Sequence, residues 1–367
     1  MDTLPALTRG FRLLRRAMPG ALLATALLAG LGGCASAPGT PASATQSANE
    51  SANQSATPGN AAALPSWRDG AARQAIVRFV ETVTRPDTPG YVPPAERIAV
   101  FDNDGTLWSE QPLYFQFFFL LDQVRAAAPQ HPQWKNNAAF RALMANDMAG
   151  VMREEKSLLP LVAAANSGMS VEEYDRTIRA WLDTARHPRL NRRYTDLVYQ
   201  PQLELLNYLR ANGFKTFIVS GGTIEFMRPW SERVYGIPPE QVVGSTQAVA
   251  YEARNGQPTL VRGPKFEFIN DGAGKPVGIY RQIGRRPILA VGNSDGDLQM
   301  LQYTMAGPGQ RLAVLVHHDD AEREFAYDRK TGVGKLDRAL DEATARGWTV
   351  ISMKQDWARI YPATPQP

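Results

Sequence analysis

The sequence is poor in several things. It holds one cysteine, Cys34, and four histidines. A single thiol excludes an intrachain disulfide and a cysteine-ligated zinc site. The apolar segment Ala21 to Leu31 has only 11 residues, short of the ~20 that a membrane-spanning helix needs. Charge of one sign is missing too. Residues 1–33 carry four arginines and one aspartate, and without them 36 basic residues face 35 acidic ones. That balance gives no support for nucleic-acid binding. Residues 35–65 have almost no large apolar side chain and one charge, Glu50. Such a segment cannot bury enough surface to offset its chain entropy. It reads as a tether with an r.m.s. span of roughly 30 Å.

What is present at the N-terminus has the order of an export signal. Arg9, Arg12, Arg15 and Arg16 precede the short apolar segment. Leu31-Gly32-Gly33-Cys34 resembles a bacterial lipobox. The resemblance implies that residues 1–33 are removed and that Cys34 is lipidated. It further implies a periplasmic protein anchored by lipid to a bacterial membrane, with residues 34–66 as its tether.

The remainder alternates between two periodicities. Residues 68–84 place Ile76, Phe79, Val80 and Val83 at helical spacing. "RIAVFD", "FKTFIVSGG", "RPILAVGNSDGD" and "RLAVLVHH" read as buried strands, and "QVVGS" and "WTVISM" as further short ones. Asn255-Gly256 between two alternating runs predicts a hairpin. "KPVGIYRQIG" and the stretch from Gly334 to Arg346 read as helices. From Tyr114 to Arg210 the signals are almost all helical, with Ser170 and Glu173 spaced as a capping box. Buried strands alternating with helices predict an α/β fold with a parallel, Rossmann-like sheet. The helical block is an insert between the first two core strands. The expected division is a core of 67–107 and 214–360, and a helical cap of 108–213.

Ligands bind at the carboxyl ends of strands in such sheets. The ends here are Asp102 with Asp104, Ser220 with Gly221 and Gly222, and Asn293 with Asp295 and Asp297. Asp102 and Asp104, two residues apart on an extended chain, can share one pocket. Close carboxylates resist ionising together, and a divalent cation with hard oxygen ligands resolves that.

These residues carry a second resemblance. "VFDNDGTLW" looks like motif I of the haloacid dehalogenase (HAD) superfamily, "FIVSGG" like motif II and "GNSDGD" like motif IV, in the expected order. The resemblance covers roughly residues 68–355. It implies a Mg²⁺-dependent hydrolase of small phosphomonoesters. Asp102 would attack phosphorus and form an aspartyl-phosphate, and Asp104 would act as general acid and base. Ser220, Gly221 and a motif III lysine would hold the phosphate. Asp102, Asp104, Asn293 and Asp297 would hold the metal. Of two candidate lysines, Lys265 and Lys275, the second opens the helix that feeds the motif IV strand and is preferred. The family begins motif IV with Gly-Asp, whereas this chain has Gly292-Asn293. An amide ligates Mg²⁺ without charge, so Asn293 predicts weak metal binding unless Asp295 compensates, and Asn293→Asp should strengthen it.

Other chemistry fits less well. Counting calcium-loop positions from Asp102 or Asn293 puts Leu where Gly is needed and no Glu at the twelfth position. "VSGG" is not a nucleophile elbow. His317-His318-Asp319-Asp320 reads as a polar strand terminus near the pocket rim, because neighbouring strand residues face opposite ways. His131 and His187 read as loop residues. Asp104 favours a phosphatase over a carbon-attacking dehalogenase. A lipid-anchored protein that binds phosphorylated ligands without turnover is the alternative that Asn293 keeps open. Glu110 and Trp108 lie where an acid and an aromatic face could receive a cationic head group of the substrate; the competing reading of Glu110 is a solvated loop acid.

Overall fold

The computed structural model describes residues 64–363. The segment expected to be an export signal, Cys34 and most of the expected tether lie outside the described residues.

Eight strands form one sheet: β1 (Ile98–Phe101), β2 (Lys215–Thr223), β3 (Val242–Arg254), β4 (Gln257–Phe268), β5 (Leu289–Gly292), β6 (Leu312–Asp319), β7 (Ala326–Tyr327) and β8 (Thr349–Ser352). Their order is β4-β3-β2-β1-β5-β6-β7, with β8 also paired to β6. Strands β3, β2, β1, β5, β6 and β8 run parallel. Only the β3–β4 hairpin and the short β7 are antiparallel. The expected α/β fold with a parallel sheet is therefore the observed one.

β1 lies at the centre, flanked by β2 and β5. All four of its residues are buried, which is why it reads as a continuous apolar run rather than an alternating one. Period-two geometry still sorts them. Ala99 and Phe101 pack with Ile218, Leu289 and Val291 on one face. Ile98 and Val100 pack with Phe217, Val219 and Ala290 on the other.

The helices are α1 (Ala71–Thr84), α2 (Phe115–Ala127), α3 (Ala138–Met144), α4 (Met148–Arg153), α5 (Glu155–Asn166), α6 (Val171–Thr184), α7 (Gln200–Ala211), α8 (Ile224–Tyr235), α9 (Gly274–Gln282), α10 (Leu298–Met305), α11 (Arg338–Arg346) and α12 (Met353–Asp356). α1, α7 and α8 cover the first face, through residues such as Ile76, Leu205 and Phe226. α9, α10 and α11 cover the second, through Ile279, Leu301 and Ala339.

Helices α2 to α6 form the inserted block. It has a core of its own, including Leu121, Trp134, Phe140, Leu143 and Leu158. The opposite side of α2 joins the main core instead, through Phe115 and Phe119. The capping box at α6 is complete: Ser170 Oγ accepts from Glu173 N, and Glu173 Oε2 accepts from Ser170 N. The insert is stitched to the hairpin. Gly168 N donates to Arg262 O at 2.9 Å, and Arg262 N donates to Met169 O at 2.9 Å. The Arg262 guanidinium lies 3.3 Å from the Tyr174 ring centroid.

Three sequence expectations shift. α7, assigned to the cap by the 108–213 division, packs on the sheet, because Leu205, Leu206 and Leu209 turn toward Phe101 and Ile218. "QVVGS" is not a separate strand. It is the start of β3, which runs unbroken into the hairpin. α11 begins at Arg338 rather than near Gly334. The hairpin turn itself has Asn255 at φ 52° and Gly256 at φ 76°, the two positive values a two-residue I′ turn requires.

Candidate active site

The tip of β1 is a hydrogen-bonded hook. Asp102 N still donates to Val291 O at 2.9 Å, one step beyond the strand. The chain then turns back: Leu107 N donates to Asn103 O at 2.8 Å and Gly105 N to Trp108 O at 2.8 Å. Gly105 sits at φ +75°, and a Cβ there would lie 2.1 Å from Asn293 Nδ2. Only glycine suits both the backbone and the space.

The hook rests on a buried polar network. His318 Nε2 donates to Gly105 O at 2.8 Å, and its Nδ1 lies 3.2 Å from Glu324 Oε2. Glu324 Oε1 accepts from Ser109 Oγ at 2.9 Å and Tyr199 OH at 3.0 Å. Burial pushes the Glu324 carboxyl up, but the His318 hydrogen bond and charge outweigh it and hold it below its ordinary range.

Lys275 stands beside the hook. It is 2% exposed, and its Nζ lies 2.5 Å from Asp102 Oδ1 and 2.5 Å from Asp297 Oδ1. Burial alone would lower its pKa; Asp102 and Asp297 reverse that and keep it above the usual lysine value. For Asp102, burial and then the Asp297 charge push the carboxyl well up, against the pull of Lys275. Asp104 is pushed up to about 6 by burial, with the Trp108 hydrogen bond opposing. Lys265 lies exposed on β4, far from this role.

The other motif residues fall close by. Ser220 is buried at the end of β2, where its Oγ accepts from Gly222 N at 3.0 Å. Gly221 follows it with partial exposure. Asn293 Oδ1 accepts from Thr106 Oγ1 at 3.0 Å, joining the β5 tip to the hook.

Several expected roles move. Asp297 does not present a free oxygen for a metal. Oδ1 is taken by Lys275, and Oδ2 accepts from Asn293 N at 2.9 Å and Ser294 N at 3.0 Å. It braces the β5 loop and pairs with Lys275. Asp295 does not compensate for Asn293 either. Its Oδ1 accepts from Asp337 N and Ala339 N, at 3.0 and 2.9 Å, and so caps α11. Trp108 offers no free face to a cation. Its ring stacks on Trp230 at 4.4 Å and meets Phe115 edge-on at 4.8 Å, while Nε1 donates to Asp104 Oδ1 at 2.8 Å. It orients Asp104. Glu110 is neither a solvated acid nor open to a substrate head. It is 1% exposed, and its Oε1 accepts from Asn293 Nδ2 at 2.6 Å and Tyr327 OH at 2.8 Å. Burial pushes its carboxyl well up, and the Tyr327 hydrogen bond opposes this.

His317 and His318 diverge, as strand neighbours do. His317 faces Asp328 at 3.6 Å, while His318 is buried under the hook. His187, read as a loop residue, is also buried, and its Nε2 donates to Gln111 O at 2.7 Å.

Sequence reasoning missed the supports. Asn270 Nδ2 donates to Ser220 O at 2.8 Å, and Asn270 N to Ser245 Oγ at 3.0 Å, fixing the β2 tip against the loop before α9. Glu324, Ser109 and Tyr199 belong to no motif, and Ser109 and Tyr199 reach Glu324 only across 215 and 125 residues.

Among the described residues no group of three or more His, Cys, Asp or Glu side chains is arranged to hold a metal. The hook and the β5 tip offer a smaller donor set: the Asp102 carboxylate, the Asp104 carbonyl and the Asn293 amide oxygen. These are hard oxygens, and Mg²⁺ is commonly held by one or two carboxylates with water completing the shell. Asn293 Oδ1 has one lone pair left after Thr106. The donor kinds fit Mg²⁺.

A family model of haloacid dehalogenase-like hydrolases matches residues 99–302. No curated protein matches the chain. Among solved structures, a conserved protein of unknown function from Anaerococcus prevotii is similar at 17% identity. That likeness covers 79% of this chain and 94% of that one, with a TM-score of 0.49. A protein of unknown function from Bordetella pertussis Tohama I is similar at 16% identity, covering 70% and 98%, with a TM-score of 0.42. A phosphoserine phosphohydrolase-like protein from Francisella tularensis is similar at 13% identity, covering 68% and 99%, with a TM-score of 0.34. The family match spans more than half of the chain and includes the hook, the β2 tip, Lys275 and the β5 tip, so the chain belongs to the haloacid dehalogenase-like hydrolases.

Proposed function

We propose that the protein hydrolyses small phosphomonoesters through an aspartyl-phosphate on Asp102. The observation that carries the reading is the Asp102 carboxylate at the tip of the central strand, with Lys275 Nζ at 2.5 Å and Asp104 two residues on.

The chemistry follows from those residues. An Asp102 oxygen attacks phosphorus and the P–O bond to the alcohol breaks. Asp104, with its carboxyl raised to about 6, can carry a proton near neutral pH. It gives that proton to the departing alkoxide oxygen. It then takes one from the water that attacks the phosphorus of the aspartyl-phosphate, and Asp102 is released with inorganic phosphate. Trp108 Nε1 fixes Asp104 for both tasks. Lys275 and Ser220 face the phosphoryl oxygens and offset their charge. Mg²⁺, bound by Asp102, the Asp104 carbonyl and Asn293, would add neutralisation of the anionic phosphate. The helical insert meets the β2 tip through Gln116, whose Nε2 donates to Thr223 Oγ1 at 2.9 Å, and an insert at this edge would favour small substrates.

The localisation belongs to the same proposal. The arginine-rich segment, the short apolar run and Leu31-Gly32-Gly33-Cys34 support a protein anchored by lipid in the periplasm.

The test is steady-state release of phosphate from a panel of phosphomonoesters, with Mg²⁺ and with EDTA. Wild type should turn over in Mg²⁺, and Asp102→Asn should be inactive while keeping its fold, read as an unchanged circular dichroism spectrum. Binding of phosphorylated ligands with no turnover would favour the non-catalytic alternative. Wild-type turnover in Asp102→Asn would remove the nucleophile from Asp102.

A further inference from the structure

The two groups that would hold the phosphate sit on separate elements, Ser220 near the tip of β2 and Lys275 at the start of α9. Something must set one against the other, and the pairing of β2 shows where.

β2 leaves its ladder at the tip. Its parallel register with β3 runs through Ile218↔Val242 and Val219↔Val243, then resumes at Thr223↔Ser245. β2 advances four residues there while β3 advances two. Ser220, Gly221 and Gly222 form a bulge, which takes backbone groups out of the regular ladder. Buried carbonyls freed in this way need other donors. Two side chains provide them. Asn270 Nδ2 donates to Ser220 O at 2.8 Å, and Ser245 Oγ donates to Gly221 O at 2.8 Å. The two clamps are joined, since Ser245 Oγ also accepts from Asn270 N at 3.0 Å. Both residues are fully buried.

The loop that carries Asn270 also carries Lys275, five residues on. It is tightly turned: Gly274 N donates to Asp271 O at 2.9 Å, and Lys275 N to Gly272 O at 3.1 Å. Asn270 is pressed against α9 as well, where a Cβ on Gly278 would lie 2.1 Å from its Oδ1. Lys275 is itself held by Asp102 and Asp297. A continuous frame therefore runs from the hook through Lys275 and Asn270 to Ser220. At its end Ser220 Oγ accepts from Gly222 N, which leaves the hydroxyl proton for another acceptor.

The amide at position 270 is not there for packing alone. Among the described residues Asn270 Oδ1 has no hydrogen-bond partner, and a buried acceptor left unpaired is a cost. A leucine would fill a similar volume with no polar atom to bury. Turning the amide over would set Oδ1 against the Ser220 carbonyl, acceptor against acceptor. What the amide contributes is Nδ2 at Ser220 O.

Resting on the phosphatase reading above, we propose that Asn270 is a positioning residue for phosphoryl transfer. It holds the Ser220 tip at a fixed span from the Lys275 ammonium, so that hydroxyl and ammonium meet the equatorial oxygens of the transferring phosphoryl group together. Donors preset in this way act on the transition state more than on bound substrate.

The experiment uses the full chain as wild type, Asn270→Leu, Ser220→Ala and the double variant. Two quantities are measured: kcat/KM for nitrophenyl phosphate in Mg²⁺, and calorimetric Kd for orthovanadate and for inorganic phosphate. Vanadate takes up the five-coordinate geometry of the transferring group, whereas phosphate is tetrahedral. A purely structural role would lower the stoichiometry of binding and leave both Kd values unmoved. Asn270→Leu should lower kcat/KM by about 10–100-fold and raise the vanadate Kd by a similar factor, with the phosphate Kd moving by less than about threefold. In the Ser220→Ala background the same substitution should cost less than about threefold in kcat/KM. An unchanged vanadate Kd in Asn270→Leu overturns the proposal, and so do equal shifts for vanadate and phosphate. Strict additivity of Asn270→Leu and Ser220→Ala overturns it too. If Asn270→Leu fails to fold, Ser245→Ala, which releases Gly221 O, is read in its place; it should show the same vanadate-selective loss, and without that loss the proposal falls. Wild type with neither turnover nor vanadate binding refutes the phosphatase reading and this proposal together. Wild type that turns over beside unaffected variants refutes this proposal alone.

Discussion

Lys275→Met should destabilise the protein far more than an ordinary lysine substitution. The ammonium is shared by two buried carboxylates at 2.5 Å each. Side-chain exposure is 2% for Lys275, 9% for Asp102 and 0% for Asp297. Removing one partner of a buried pair costs about 3–5 kcal/mol, because the other charge is left uncompensated. The cost does not double here, since one of the two carboxylates can take up a proton once the ammonium is gone. At 2–3 °C per kcal/mol for a chain of this size, the melting temperature should fall by roughly 6–15 °C. Methionine fills much of the same volume, so packing contributes little. The assay is near-UV circular dichroism on heating, in EDTA at neutral pH. A cycle with Asp102→Asn isolates the interaction. In the Lys275→Met background, Asp102→Asn should recover part of the loss, with a coupling of about 0.5–3 kcal/mol. A Lys275→Met protein that melts with wild type would refute the buried counter-ion. Strict additivity of the two substitutions would refute the pairing with Asp102.

Asp104→Asn should cost about 10²–10⁴-fold in kcat/KM for alkyl phosphates, which need a proton on the departing oxygen; the loss should be smaller for nitrophenyl phosphate, whose leaving group needs none, and an equal loss in kcat/KM for both would remove the acid role. Cys34→Ser should abolish radiolabelled palmitate incorporation and move the protein from the membrane fraction to the soluble fraction, and a wild type that is already unlabelled would remove the lipobox reading.

The sheet was legible because its signals are local. An apolar run that stops at Asp102, an Asn255-Gly256 turn and Ser170 spaced from Glu173 each lie within a dozen residues. The hook and its neighbours Ser220, Lys275 and Asn293 were legible for a different reason, since strand ends of a parallel sheet gather at one edge. What stayed hidden was which side chain meets which. Glu110 looked like a loop acid because its partners Asn293 and Tyr327 are 183 and 217 residues away. Trp108 looked available because Trp230, which covers it, belongs to another helix. Asp295 looked like a ligand because nothing near it in sequence announces that α11 begins over it. α7 was drawn into the cap because helical periodicity reports that a face is buried but not against what.

The network under the hook has a consequence for when the protein can become active. Ser109 Oγ bonds Tyr361 OH at 2.7 Å across a separation of 252 residues, and Gly105 is held by His318 across 213. Trp67, near the start of the described residues, meets Trp357 edge-on at 6.0 Å. A chain emerging N-terminus first from a ribosome carries Asp102 long before it carries the footing of that residue. Contacts this distant in sequence form late in folding. Asp102 and Asp104 therefore remain unassembled through most of synthesis, and the hook is set only when the stretch from His318 to Tyr361 has arrived. A chain cut short before that stretch keeps every motif aspartate and loses the geometry that makes them a site.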